Sequence, residues 1–142
     1  MNNSTILAFD YGTKKVGMAI GQTITHSANA LATLKNKQGQ PDWQLIQQQI
    51  EEWKPKQLVV GLPLREDGAE THSSELARIF IKQLAKKFNL PVTGVNEYLT
   101  SHDANARLQT TVRRYKKHIK TSDTLDAMAA QIILETWLAE QQ

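Results

Sequence analysis

Ile6, Leu7, Ala8 and Phe9 form an unbroken apolar run that stops at Asp10, and Tyr11-Gly12-Thr13 supplies turn residues before apolar character resumes at Val16. This predicts a hairpin whose second strand is Val16 to Gly21, with a third strand from about His26 to Leu34. Gly39 and Pro41 break the pattern, and Asp42 stands where a helix cap belongs. Trp43, Ile46, Ile50 and Trp53 then recur at steps of three and four, placing them on one helical face that ends at Pro55. Leu58, Val59, Val60 and Leu62 are almost continuous in apolar character, as in a parallel strand covered on both faces. From about Ser73, the positions Ala77, Phe80, Ile81, Leu84 and Phe88 trace a second amphipathic helix, and Pro91 to Val95 reads as a strand ending at Asn96-Glu97. Thr100 to Leu108 predicts a brief helix, the basic stretch after it a loop, and Ser122 to Ala139 a final helix.

Three strands followed by alternating helices and strands describe an α/β fold: a mixed five-stranded sheet, its three antiparallel strands first and its parallel strands after, flanked by helices. The 142 residues suit one domain, and no repeat or linker divides them, so a single domain over 1–142 is expected. Hydrophobic residues at 40% and charged residues at 22% exclude a disordered chain. No cysteine, no long apolar run and no leader-like start are present, which predicts a cytoplasmic protein without membrane contact.

The acids fall at informative places. Asp10 closes the first strand, Glu97 closes the last, and Asp126 lies in the first turns of the final helix. If the first and last strands share a sheet, Asp10 and Glu97 could occupy neighbouring strand ends beside the helix that carries Asp126. Ala130, Ile133 and Trp137 follow Asp126 at steps of four, three and four, so the acid shares a face with residues that should meet the sheet. A carboxylate on that face needs a cation, a donor or a proton. Asp123, one turn earlier, would repel Asp126 unless a cation lies between them. Hard oxygen ligands, with no cysteine and no histidine pair at ligand spacing, favour Mg2+ or Mn2+ over zinc, and such sites cleave phosphodiesters. Taken singly, each acid also has an ordinary reading, as turn chemistry, a strand end or a helix-start charge.

A formal charge of +3 says little, but its distribution says more. Arg113, Arg114, Lys116, Lys117 and Lys120, with His118 among them, form a run that no acid interrupts, a candidate for tracking a phosphate chain on which Tyr115 could stack a base. The competing reading is a solvated charge run. Lys14 and Lys15 at the hairpin turn are candidate phosphate contacts, and the tryptophans Trp43, Trp53 and Trp137 lie on apolar stripes as core residues.

Asp10-Tyr11-Gly12-Thr13-Lys14-Lys15-Val16-Gly17, Val59-Val60-Gly61-Leu62-Pro63-Leu64 with Asp67-Gly68, Asn96-Glu97-Tyr98-Leu99-Thr100-Ser101, and Asp126-Ala127-Met128-Ala129-Ala130 resemble, in order and spacing, the four blocks of the YqgF family, also called RuvX. The resemblance implies a ribonuclease H-like fold related to Holliday-junction resolvases. It further implies Asp10, Glu97 and Asp126 as metal-binding catalytic acids, a loop after Gly61 that borders the site, and a role in maturing the 5′ end of pre-16S ribosomal RNA. Two segments depart from the family. Asn96 and Tyr98 flank Glu97 where the family has aspartate and arginine, and Ser122-Asp123-Thr124 stands where it often has lysine, leaving Asp123 as an auxiliary metal ligand or a helix cap.

The expected activity is therefore a metal-dependent endonuclease on structured nucleic acid, with precursor rRNA, branched DNA and ribosomal particles as partners and a monomer or weak homodimer as its state. The alternatives are a junction-resolving DNA nuclease and a nucleic-acid-binding module that no longer cleaves. An actin-like or sugar-kinase ATPase also carries D-x-G-T after a strand, but closes two domains over its nucleotide, for which 142 residues are too few.

Overall fold

Strands β1 (Thr5–Tyr11), β2 (Lys15–Gln22) and β3 (Ser27–Lys35) form the antiparallel meander that the sequence predicts. The structure is a computed structural model that describes residues 4–97 and 122–141, the side chains of 122–124 excepted. The expected brief helix Thr100–Leu108 and the basic run Arg113–Lys120 lie outside the described residues. After β3 come α1 (Trp43–Trp53), β4 (Gln57–Leu62), α2 (His72–Phe88), β5 (Val92–Asn96) and α3 (Ser122–Glu140). The five strands lie in the order β3-β2-β1-β4-β5, with β4 parallel to both β1 and β5.

Strand alternation divides the core in two. Leu7, Phe9, Val16, Met18 and Val60 pack with Ile46 of α1 and Phe80 and Leu84 of α2. Ile6, Ala8, Ala19, Val59 and Val95 pack on the opposite face with Ala130, Ile133, Leu134 and Trp137 of α3. The division is sharpest in β2, where Val16 and Met18 face α1 and α2 while Gly17, Ala19 and Gly21 form a shallow track beneath α3. A Cβ on Gly21 would come within 2.5 Å of the Ser27 carbonyl oxygen and 2.7 Å of Leu134 Cδ2, so β3 and the helix together keep the track small. Gln131 of α3 also reaches β3, its Oε1 accepting from the Ala30 N–H at 3.1 Å beside the irregular register between Met18 and Ala19.

The helices begin where the sequence marks them. Asp42 Oδ1 accepts from the Leu45 N–H at 3.3 Å, and the Thr71 hydroxyl and Ser74 side chain cap α2 reciprocally. Trp43 stacks on Phe80 with centroids 5.6 Å apart, and Trp137 is buried, so both pack as expected. Trp53 corrects the expectation: it is 37% exposed and donates from Nε1 to Gln49 Oε1. The covered side of α1 is centred on Ile46, and the final turn, residues 51–53, lies exposed. No described helix is long and apolar enough to cross a membrane.

Candidate active site

Asp10 continues the alternation of Ile6 and Ala8, and Glu97 that of Val95, so both acids belong to the sheet face that α3 covers. They are not on neighbouring strands, as the sequence suggested: β4 lies between β1 and β5. The parallel chain returning from α1 pairs with β1 first, and β5 adds outside it. What β4 presents between the two acids is Gly61. A Cβ there would lie 2.5 Å from Glu97 Oε1 and 2.5 Å from Ile133 Cδ1, so the Glu97 carboxylate extends over β4 into space that any other residue would fill. The Glu97 N–H donates to the Leu62 carbonyl at 3.0 Å, which fixes the base of that side chain and places the segment after Gly61 against the site.

A second glycine seats the third acid. Gly17 is the cross-strand partner of Asp10, and a Cβ on it would lie 2.1 Å from the Asp126 carbonyl oxygen. The first turns of α3 therefore rest on bare β2 backbone, which carries Asp126 to the side of Asp10. Asp10, Asp126 and the turn residues Tyr11, Gly12, Thr13, Lys14 and Lys15 line a cavity of about 250 Å³. Both lysines of the turn are thus beside the acids. Asp123 is one helical turn before Asp126 on α3, with its side chain outside the described residues, as are Arg113, Arg114, Lys116, Lys117 and Lys120.

Burial and like charge leave Asp10 and Glu97 reluctant to ionise. Burial, then the charge of Asp126, pushes Asp10 up to about 6; burial, then the charge of Asp10, pushes Glu97 up to about 7. Asp10 is the shared member, coupled to Asp126 on one side and Glu97 on the other. Among the described residues no three acidic, histidine or cysteine side chains are gathered tightly enough to hold one ion. The site's chemistry fits a hard divalent cation: the donors are carboxylate oxygens, and a positive charge would offset the burial and the repulsion that raise both pKa values.

The sequence reading missed what supports this site. The glycines were visible as motif letters, but their role as seats for Asp126 and Glu97 needs the strand order. Asn36, which directly follows β3, does not stand out in the sequence, yet its Nδ2 donates to the Gly12 and Thr13 carbonyls at 3.0 and 2.8 Å and its N–H to the Lys14 carbonyl at 2.9 Å. An asparagine next to a strand end carries no signal distinguishing this role from an ordinary turn.

Residues 4–140 match the family model described as RuvX, Holliday junction resolvase. A protein of Coxiella burnetii named "Putative pre-16S rRNA nuclease" is 44% identical over 141 residues, covering 99% of this chain and 96% of that protein. A protein of the same name from Dechloromonas aromatica is 45% identical over 133 residues, covering 94% and 89%. Among solved structures, Thermus thermophilus RuvC in complex with a Holliday junction substrate aligns with a TM-score of 0.60 at 14% identity, covering 98% of this chain and 96% of that one. The yeast mitochondrial Holliday junction resolvase gives 0.58 at 13% identity, covering 98% and 79%. The fold is thus the ribonuclease H-like one, with the mixed sheet and flanking helices that the sequence predicts.

Proposed function

The chain belongs to the RuvX family, a family of nucleases, and from that premise we propose that it is a metal-dependent endonuclease that hydrolyses phosphodiester bonds of structured nucleic acid, its cellular task being 5′-end processing of pre-16S rRNA. The observation that carries the reading is the position of Asp10 between Asp126 and Glu97, three acids from distant parts of the chain on one face of the sheet, two of them with strongly raised pKa values. Perturbation of this kind by burial and by like charge is characteristic of sites that do chemistry.

Asp10, Glu97 and Asp126, joined by Asp123, are the residues that would hold Mg2+ or Mn2+. When bound, such ions supply an activated water and charge stabilisation at the leaving oxygen. The chain's own groups do the rest. Lys14 and Lys15, on the wall shared with Asp10 and Asp126, hold a phosphate of the strand beside the acids. Arg113, Arg114, Lys116, Lys117 and Lys120 add charge attraction to the phosphate backbone, giving affinity without sequence preference. The cytoplasm, where ribosome precursors mature, is the compartment this activity requires.

Incubation of the protein with a 5′-extended 16S rRNA precursor and, in parallel, a four-way DNA junction, each with Mg2+ or Mn2+, tests the reading. The precursor should be cleaved, and Asp10→Asn and Asp126→Asn should each slow cleavage by at least about a hundredfold. Unchanged cleavage in both variants defeats the assignment. A second reading, junction resolution, is favoured by the likeness to resolvase folds and by the family description; preferential cutting of the junction would select it. Salt-sensitive binding of both probes with no cleavage of either would select the binding module instead.

A further inference from the structure

Three consecutive carbonyls, those of Gly12, Thr13 and Lys14, all accept from one residue, Asn36. Because the contacts are carbonyl oxygens, the amide end facing them must be the NH2 group, whichever way the side chain is drawn. A trans peptide directs its C=O and N–H to opposite sides, so fixing the Gly12 and Thr13 carbonyls toward Asn36 turns the Thr13 and Lys14 N–H groups away from it. Those residues line the cavity that holds Asp10 and Asp126, and Asn36 does not.

Stability alone does not account for this residue. The Asn36 Oδ1 is buried with no hydrogen-bond partner, which costs stability, whereas the Gly12 carbonyl is half-buried and the Thr13 carbonyl exposed, where water could replace the amide. A side chain that leaves one of its own polar atoms orphaned in order to orient a turn beside a charged cavity is placed for the turn's conformation.

We infer that Asn36 is a positioning residue for substrate: it holds the β1–β2 turn so that the Thr13 and Lys14 N–H groups and the turn lysines receive a phosphate of the nucleic-acid strand beside Asp10. Backbone amides aimed in common at one place bind anionic oxygen well, and a preset turn spares the ordering that a free one would require on binding. The inference rests on the nucleic-acid reading above and adds to it the residue that shapes the phosphate contact.

The test is the affinity of fluorescein-labelled RNA hairpin and four-way junction, read by anisotropy in EDTA at fixed salt, for wild type, Asn36→Ala, Lys14→Ala and the double variant. Asn36→Ala should weaken binding of the better probe about tenfold while leaving the thermal midpoint close to wild type, since it removes the orphaned oxygen together with the donor. Because Asn36 acts in part through Lys14, which sits on the turn it holds, the two losses should fall clearly short of multiplying in the double variant. Should Asn36→Ala not fold, Asn36→Ser, which keeps one donor, takes its place with a smaller loss expected. In cleavage assays with Mg2+ the effect should fall on KM, with kcat kept within about threefold. Wild-type affinity in the Asn36 variant, or losses that multiply in the double variant, overturn the inference and leave the nuclease reading standing. Binding that obeys these expectations without any cleavage removes the nuclease reading and keeps the inference. A wild type that binds neither probe overturns the inference, and if it also cleaves neither with Mg2+ the nuclease reading falls with it.

Discussion

A Cβ placed on Gly17 would lie 2.1 Å from the carbonyl oxygen of Asp126 and 2.5 Å from its carbonyl carbon. Both are backbone atoms and cannot swing aside, so any side chain here must lift α3 from the sheet. Gly17→Ala should cost at least about 1–3 kcal/mol of stability, the range for overpacking in a closed interface, and should lower nuclease activity by displacing Asp126. Urea denaturation checks the first expectation and the cleavage assay the second. An alanine variant as stable as the parent would show that α3 does not rest on Gly17.

Gly61→Ala should behave differently, because its Cβ would meet Glu97 Oε1 and Ile133 Cδ1, both side-chain ends that can move. Stability should fall by less than in the Gly17 variant, roughly 1 kcal/mol, while activity falls by about tenfold or more as the Glu97 carboxylate is pushed off its place. Measured side by side, the two variants separate damage to the frame from damage to an acid. Equal activity in Gly61→Ala and wild type would remove Glu97 from the reaction.

The raised acids give the metal-free protein an inverted pH response. Asp10 and Glu97 ordinarily titrate near 3.8 and 4.5, but in the fold near 6 and 7, so between those limits the folded chain holds protons that the unfolded chain has released. Stability should therefore fall as pH rises through this window, by on the order of a few kcal/mol, with the loss complete above the folded values. In EDTA the thermal midpoint should drop by roughly 10 °C from about pH 5 to about pH 8. Asp10→Asn, which removes the central charge, should flatten the drop, and Mg2+ at the upper pH should raise the midpoint of wild type but not of this variant. A midpoint in EDTA that holds or climbs across the window would mean that burial and repulsion do not raise these two acids.

Asp42→Ala should cost about 1 kcal/mol through the lost cap of α1 and leave cleavage unchanged, since Asp42 serves the helix on the opposite side of the sheet from the acids. Thermal melting and the cleavage assay, run on the same preparation, decide it. Loss of activity with unaltered stability would mean that α1 reaches the site in some way the fold does not show.

Much of the architecture was legible because its signals are local. The apolar run before Asp10, the near-continuous Leu58–Leu62 strand, the cap at Asp42 and the stripe behind Asp126 each report a short-range preference that the sheet and helices then obey. Strand order is a long-range property: nothing in β1 or β5 says that β4 will lie between them, so the sequence points to Asp10 and Glu97 as neighbours where the fold separates them by one strand. The same gap hid why Gly61 is glycine. Trp53 failed for a related reason, since helical period tells which side of α1 is apolar but not how far the covering core extends along it. Asn36 acts through hydrogen bonds to a turn 22 to 24 residues earlier, a partnership no local pattern encodes.

The large-and-small alternation of β2 makes that strand intolerant of any change in length. Inserting or deleting one residue within Lys15–Gln22 would exchange its two sides, driving valine and methionine under α3 and leaving glycine holes opposite Phe80. The hairpin tip at residues 23–26, where Ile24 already projects into solvent, faces no such arithmetic. Tags, loops or circularly permuted termini should therefore be accepted there and refused a few residues upstream.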